Sequence, residues 1–80
     1  MLILFERKHC PYCVKVRTFL EKNNVKYSSV VSGKGDPSRA IMQKLGGEQQ
    51  VPFLIDLDKG RWMYESEDII QYIQEQLSQK

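Results

Sequence analysis

The sequence has few of the features that are typical of nucleic-acid-binding, membrane or secreted proteins. Its net charge is only +2, from 12 lysines and arginines against 10 aspartates and glutamates, which does not favour nucleic acid or an anionic membrane as a partner. Its opening apolar run, 1–5, is too short for a membrane span or a signal peptide core and has no basic segment before it. We therefore expect a cytoplasmic protein.

The length of the chain limits the number of domains that it can form. A chain of 80 residues with 41% hydrophobic content is predicted to form a single domain, 1–80, near the size at which one core only just outweighs chain entropy. No internal repeat, low-complexity segment or long linker divides it.

Cysteines are equally few, but their spacing is informative. The two cysteines flank a proline and a tyrosine in Cys10-Pro11-Tyr12-Cys13. Residues three apart on a helix are neighbours, so the two sulfurs can form a reversible disulfide. As a structural bridge it would close a loop of only a few residues and remove little unfolded-state entropy. In the cytoplasm, where thiols are kept reduced, redox catalysis or metal binding explains the pair better.

Hydrophobic periodicity predicts the element order βαβαββα, an α/β fold. Strands are expected at 2–5, 25–31, 53–55 and 61–64, and helices at 10–22, at 36–45 and from 66 onward. The predicted buried faces are Cys13, Val16, Phe19 and Leu20 in the first helix, Ile41 and Leu45 in the second, and Ile69, Ile70, Ile73 and Leu77 in the third. Asp36 and Ser66 are predicted to cap the second and third helices.

Cys10 has the features of an attacking nucleophile. It stands at a predicted helix N-terminus, where free N–H groups and the positive end of the helix dipole favour the thiolate, and Arg7, Lys8 and His9 add positive charge nearby. Cys13 lies one turn inside, on the apolar face, where desolvation keeps the thiol neutral until it resolves a mixed disulfide on Cys10.

Metal binding is the alternative for the same pair, because CxxC is also half of a zinc or iron–sulfur site. The other half is missing from this sequence. His9 is adjacent to Cys10 and would strain to reach the same metal, which leaves a cluster shared between two chains as the metal-binding alternative.

Two further segments are candidates for binding. Val51-Pro52 opens an apolar strand, and a cis bond there would bring the Val51 backbone beside the cysteines. Glu65-Ser66 starts the last helix, where N–H groups can bind a carboxylate and Glu65 can accept from an ammonium. The γ-glutamyl end of glutathione carries both groups, although the pair can also be a plain helix start.

Taken together, these segments resemble the glutaredoxins. The resemblance covers nearly the whole chain and rests on three segments, His9-Cys10-Pro11-Tyr12-Cys13, Gln50-Val51-Pro52 and Tyr64-Glu65-Ser66-Glu67-Asp68-Ile69. Ordinary glutaredoxins carry a glycine-rich segment with Asp where this chain has Glu65-Ser66, a pair that looks like the corresponding corner of glutathione transferase N-terminal domains. The resemblance is therefore greatest to the N-terminal domain of the transferase-like glutaredoxins, in which an all-helical domain follows, so transferase activity is not expected of residues 1–80.

The resemblance implies a thioredoxin-like fold, a four-stranded mixed sheet flanked by three helices, with a cis-proline at Pro52 facing the cysteines. It also implies glutathione as reductant. By position, Val51 would bind the cysteinyl backbone of glutathione, and Glu65 with Ser66 its γ-glutamyl end. Gln50 or Arg7 would reach the glycyl carboxylate, and Tyr12 would line the groove.

These observations predict a monomeric glutathione-dependent oxidoreductase that reduces protein disulfides or glutathione mixed disulfides, with Cys10 attacking and Cys13 resolving. Glutathione and disulfide-bearing or glutathionylated proteins are the expected partners, and no metal, nucleic acid or membrane is expected. The alternatives are a glutathione-ligated iron–sulfur carrier and a glutathione-binding module without catalysis.

Overall fold

A four-stranded mixed sheet forms the centre of the molecule in the computed structural model, which describes residues 1–78. The elements in chain order are β1 (Leu2–Glu6), α1 (Pro11–Lys22), β2 (Ser28–Val31), α2 (Ser38–Gly46), β3 (Phe53–Asp56), β4 (Arg61–Tyr64) and α3 (Ser66–Ser78). The strands lie in the order β2-β1-β3-β4, with β2 parallel to β1 and the other neighbours antiparallel. The predicted element order is confirmed.

The core lies on both faces of the two central strands. Successive residues of a strand point to opposite faces, and the register pairs Leu4 with Leu54 and Phe5 with Phe53. One face packs on α1 and α3 in a cluster of Leu4, Val16, Leu20, Leu54, Ile69, Tyr72 and Ile73. The other face, toward α2, holds Phe5, Met42, Phe53 and Ile55. Burial on both faces explains why β1 and β3 are continuous apolar runs.

The second strand is shorter than predicted. Strand pairing begins only at Ser28, opposite Ile3, so the prediction of strand from Val25 was wrong at this end. The Val25 N–H instead donates to the Leu20 carbonyl at 2.9 Å, after a turn in which Asn24 has a φ of 56°. Val25 still packs against the core, which is why its hydrophobicity resembled that of a strand residue.

The second helix presents a different face from the predicted one. Ile41 and Leu45 are 48% and 38% exposed, whereas Met42 is fully buried. Gly46, one turn after Met42, lies so close to Tyr64 that an added Cβ would stand 2.2 Å from its hydroxyl oxygen. The stripe toward the sheet is therefore Met42 and Gly46, because a glycine permits the close approach that Leu45 would prevent.

Neither of the two predicted caps occupies the cap position of its helix. Pro37 stands directly before α2, and Asp36 lies one residue earlier, where its Oδ1 accepts from the Ser38 N–H at 2.9 Å and from the Ser38 hydroxyl at 2.7 Å. Ser66 is the first residue of α3 rather than its cap. Glu65 precedes it, and its carbonyl accepts from the Ile69 N–H at 3.0 Å. In residues 1–78 no helix is long and apolar enough to cross a membrane.

Candidate active site

The junction between β1 and α1 places Cys10 at the start of a helix. Cys10 has extended backbone angles (φ −76°, ψ 121°) and precedes Pro11, which occupies the first turn where a missing N–H is no loss. The Cys10 N–H donates to the Arg7 carbonyl at 3.3 Å, and the Cys10 carbonyl accepts from the Val14 N–H at 2.9 Å. The thiol thus lies beside the free N–H groups of the first helical turn.

Its surroundings favour the charged form of Cys10. Partial burial acts to raise the pKa of the thiol, but hydrogen bonds from the Cys13 backbone and side chain, a bond from the Tyr12 backbone and the charge of Arg7 outweigh it, and the pKa is lowered. The sequence places Arg7, Lys8 and His9 near Cys10, and of these three residues Arg7 is the one whose charge contributes to the lowered pKa of Cys10.

Cys13 has the opposite environment. Its side chain is fully buried, and its sulfur accepts from the Arg7 N–H at 3.4 Å. Burial, the hydrogen bond with Cys10 and the negative charges of Cys10 and Glu6 raise the pKa of the Cys13 thiol to about 12, although the Arg7 N–H opposes them. Both cysteines are free thiols. One helical turn therefore carries a thiol with a lowered pKa and a thiol with a raised pKa.

A small depression beside this turn collects most of the other predicted site residues. It has a volume of about 230 Å³ and is lined by Tyr12, Gln50, Val51, Pro52, Glu65 and Ser66. We call it the γ-glutamyl depression, after the group that the sequence suggests for it. The Val51–Pro52 peptide bond is cis. The amide of Gln50 donates to Glu65 Oε1 at 3.0 Å, which joins the loop before β3 to the start of α3.

Glu65 has an unusual backbone conformation. Its φ of 68° lies in the left-handed region, which residues other than glycine seldom adopt. The residue is exposed, while Ser66 beside it is buried. This conformation lies at the turn between β4 and α3, from which the Glu65 carboxylate contacts the Gln50 amide.

Arg7 lies outside this depression, in a larger one that Cys10 also lines. We call it the basic groove; it has a volume of about 670 Å³ and is lined by Arg7, Lys8, His9, Cys10, Val31, Gly33, Arg39, Gln49, Gln50 and Val51. Gln50 and Val51 line both depressions. Of the predicted binding residues, Arg7 is the one that lines only the basic groove, whereas Gln50 and Val51 line both depressions.

Arg39 was assigned no chemistry from the sequence, but it organises the basic groove. Its Nε donates to the carbonyls of Ser32 and Gly33 at 3.0 and 3.1 Å, and its Nη1 donates to the Gln49 carbonyl at 3.0 Å. The guanidinium thereby ties the segment after β2 to the segment that leads to Gln50. Only the folded chain brings these segments together, so no sequence spacing indicates the role.

Glu6 is likewise not identifiable from the sequence, because only the folded chain brings its partners together. It is 1% exposed, its Oε1 pairs with Arg17 of α1, and its Oε2 accepts from the Ser29 hydroxyl of β2. A buried carboxylate needs such partners, and here they join three elements beneath Cys13. In residues 1–78 no group of three or more His, Cys, Asp or Glu side chains is arranged to hold a metal ion.

Residues 4–80 match the family described as Glutathione S-transferase, N-terminal domain. The chain belongs to this family. It is also 36% identical over 73 residues to Glutaredoxin 2 of Escherichia coli K12, covering 88% of this chain and 31% of that protein. The expected resemblance to transferase-like glutaredoxins is thus confirmed, and the chain spans about a third of the length of this relative.

Solved structures give the same result for the fold. A crystal structure of Glutaredoxin 2 from Salmonella typhimurium in complex with glutathione superposes with a TM-score of 0.80 at 32% identity, over 91% of this chain and 32% of that one. Glutathione transferase Omega 3C from Trametes versicolor gives 0.82 at 22% identity, over 96% and 34% of the two chains. The thioredoxin-like fold predicted from the sequence is confirmed.

Proposed function

We propose that this protein is a glutathione-dependent thiol–disulfide oxidoreductase in which Cys10 attacks and Cys13 resolves. The observation that carries the proposal is the opposite displacement of two thiol pKa values within one helical turn, with Cys10 lowered and Cys13 raised to about 12. A nucleophile must be ionised before attack, and a resolving thiol must stay neutral until a mixed disulfide has formed.

The reaction with a protein disulfide then has two steps on the enzyme. The Cys10 thiolate attacks one substrate sulfur, which forms a mixed disulfide and releases the other sulfur as a thiolate. Cys13 loses its proton and attacks Cys10, which releases the substrate as a dithiol and leaves a Cys10–Cys13 disulfide. Two molecules of glutathione reduce that disulfide and leave as glutathione disulfide.

A glutathionylated substrate follows a shorter route. Cys10 attacks the glutathione sulfur and the substrate leaves as a thiolate. A second glutathione attacks the resulting Cys10–glutathione disulfide, which restores the Cys10 thiolate and releases glutathione disulfide without using Cys13.

Glutathione fits the chemistry of the γ-glutamyl depression. Ser66 and the N–H groups at the start of α3 suit its γ-glutamyl carboxylate, and Glu65 suits its ammonium. Val51 is available to pair with the cysteinyl backbone, and Tyr12, 64% exposed, forms the outer wall. The Salmonella relative was crystallised in complex with glutathione, which supports this choice of ligand.

A coupled assay tests the proposal. Purified protein is given a glutathionylated peptide as substrate and either glutathione with glutathione reductase or thioredoxin reductase alone, and NADPH oxidation is followed. We expect turnover only with glutathione. Equal turnover with thioredoxin reductase alone, or none with glutathione, would contradict the proposal.

A further inference from the structure

We propose that the ion pair between Glu6 of β1 and Arg17 of α1 sets the rate at which Cys13 attacks a mixed disulfide on Cys10. Arg17 acts as a positioning residue, and Glu6 acts as a fixed charge. The inference rests on the proposed function and deepens it, because it names the residues that determine how readily the resolving thiol reacts.

Arg17 holds both ends of the segment 6–8, which leads from the end of β1 toward α1. Its Nη1 pairs with the Glu6 carboxylate, and its Nη2 donates to the Lys8 carbonyl at 3.3 Å. Glu6 is also held from β2, because its Oε2 accepts from the Ser29 hydroxyl. A planar guanidinium presents its donors in a fixed fork, so one side chain can hold two acceptors at a set spacing. The middle residue of the segment therefore has two fixed neighbours.

That middle residue, Arg7, contacts both cysteines through its backbone. Its N–H donates to the Cys13 sulfur at 3.4 Å, and its carbonyl accepts from the Cys10 N–H at 3.3 Å. An N–H that donates to sulfur stabilises the thiolate more than the thiol. The position of Arg7, which the contacts of Arg17 maintain, therefore determines how well the Cys13 thiolate is stabilised.

Glu6 acts on the same sulfur in the opposite direction. Its side chain is 1% exposed and pairs with Arg17 on α1, the helix that carries Cys13. A negative charge in a poorly solvated position disfavours a second negative charge nearby. The carboxylate accordingly acts to raise the pKa of Cys13, whereas the Arg7 N–H acts to lower it. Because Arg17 offsets part of the carboxylate charge, loss of Arg17 would strengthen the effect of Glu6.

The balance between these two influences matters most after a mixed disulfide has formed. In the dithiol form, the negative charge of Cys10 also raises the pKa of Cys13. A Cys10 sulfur that is bonded to a substrate carries no negative charge, so this contribution is lost in the first step. The Glu6 charge and the Arg7 N–H then have more weight in deciding how readily Cys13 ionises.

The rate of this step decides between the two routes of the proposed function. When Cys13 attacks slowly, a Cys10–glutathione disulfide persists until a second glutathione releases it. When Cys13 attacks quickly, the same species becomes a Cys10–Cys13 disulfide, and mixed disulfides with proteins are resolved before they dissociate. The ion pair therefore tunes the protein between glutathionylated substrates and protein disulfides.

Reaction with the disulfide of thionitrobenzoate measures the two steps separately and uses no glutathione. The Cys10 thiolate attacks one sulfur of the reagent, which forms a Cys10–thionitrobenzoate disulfide and releases the first coloured thiolate. Cys13 then loses its proton to solvent and attacks Cys10, which forms the Cys10–Cys13 disulfide and releases the second coloured thiolate. The rate of the first phase is proportional to the reagent concentration, whereas the rate of the second is independent of it. Cys13→Ser should show the first phase alone.

Glu6→Gln and Arg17→Gln should change the second phase in opposite directions, although both remove the ion pair. Glu6→Gln removes the charge that opposes the Cys13 thiolate and keeps an oxygen acceptor for Arg17. Arg17→Gln leaves that charge in place and frees the segment 6–8. We expect the second phase to be about threefold faster in Glu6→Gln and about threefold slower in Arg17→Gln at neutral pH. A lower pKa also weakens a thiolate as a nucleophile, but by less than the gain in thiolate.

The first phase should stay nearly unchanged in both variants, because the hydrogen bonds that favour the Cys10 thiolate come from Tyr12 and Cys13. Arg61→Gln makes the same chemical change as Arg17→Gln on β4, away from the segment 6–8, and should leave both phases unchanged. Arg17→Lys keeps a positive charge beside Glu6 without the fork. It should give a second phase between those of wild type and Arg17→Gln, and it replaces Arg17→Gln if that variant does not fold.

A purely structural role of the ion pair would move the second phase of both variants in the same direction, in step with their stability in urea. That result would overturn the proposal, as would second-phase rates that Glu6→Gln and Arg17→Lys leave unchanged, or a first phase that changes by the same factor as the second. Failure of the proposed function has a different signature. Wild-type protein would then release a single thionitrobenzoate, or Cys13→Ser would still release the second.

Discussion

At the scale of single residues, the active site depends on the difference between two thiols in neighbouring positions of one helical turn. Cys10 keeps contact with solvent and hydrogen bonds that favour its thiolate, whereas Cys13 is buried above the Glu6 carboxylate. Identical side chains thus acquire different chemistry from their environments, as paired ionisable groups in active sites commonly do.

This difference predicts the pH dependence of alkylation. Only the thiolate reacts, so the rate for Cys10 should rise with pH through a midpoint below that of an ordinary cysteine, and Cys13 should stay unmodified near neutral pH. Because the positive charge of Arg7 lowers the pKa of Cys10, Arg7→Gln should move the midpoint upward, so that less thiolate is present at any pH below it.

Iodoacetamide kinetics across a pH series, with mass spectrometry to count modified cysteines, provide the measurement. Lys26→Gln, remote from the site, is the control for the lost charge. A midpoint at or above that of a free cysteine would contradict the activation of Cys10.

A substitution at Glu65 can distinguish an effect on glutathione binding from an effect on the stability of the fold. Removing a charged partner should cost on the order of 1.5–3 kcal/mol of binding, so Glu65→Gln should raise the KM for glutathione roughly tenfold or more. The side chain is exposed, and hence the melting temperature should stay near that of the wild type.

Glu75→Gln makes the same chemical change near the other end of α3 and should leave the KM unchanged. Steady-state kinetics and thermal melts of both variants provide the test. If Glu65→Gln lowers only the melting temperature, Glu65-Ser66 is merely a helix start.

At the scale of elements, the contact between α2 and β4 holds the loop that carries Gln50. The Tyr64 hydroxyl donates its one proton to the Glu48 carbonyl at 2.7 Å, lies 3.1 Å from the Met42 carbonyl oxygen, and accepts from the Glu48 N–H at 3.1 Å. The ring also packs on Phe53, with centroids 4.6 Å apart. Tyr64 precedes Glu65, so one contact positions both sides of the γ-glutamyl depression.

Gly46→Ala tests this contact. Alanine is the better helix former by about 0.5–1 kcal/mol, but its Cβ would overlap the Tyr64 ring, and overpacking typically costs about 1–3 kcal/mol. We expect net destabilisation in urea unfolding, together with a raised KM for glutathione. Gly33→Ala has open space around the added carbon and is the matched control. Equal stability of the two variants would show that the helix packs more loosely than the structure indicates.

The elements themselves were largely predictable, because continuous apolar runs in the central strands and helical spacing in the helices reflect which residues are buried. The errors have tertiary causes. Val25 is hydrophobic because it packs against the core, although it lies outside β2. Ile41 and Leu45 have helical spacing, but the close approach of Gly46 to Tyr64 turns Met42 inward instead.

At the scale of the whole molecule, the site is assembled from three segments that are distant in sequence. The sequence identified them as the CPYC turn, the Val51-Pro52 loop and the start of α3, because each has a local chemical pattern. The Glu6–Arg17 pair, the Arg39 bridge and the basic groove have no such pattern, since their partners are brought together only by the order of strands in the sheet.

The most direct test of the proposed mechanism compares wild type, Cys10→Ser and Cys13→Ser in the glutathione-coupled assay, with a glutathionylated peptide and with a protein disulfide as substrates. Cys10→Ser should lose both activities, because the other thiol of the pair, Cys13, is buried and has a raised pKa. Cys13→Ser should keep part of the first activity and lose the second, because only protein disulfides require the resolving thiol. If Cys13→Ser is as inactive toward the glutathionylated peptide as Cys10→Ser, or if Cys10→Ser keeps either activity, the division of roles between the two cysteines is wrong.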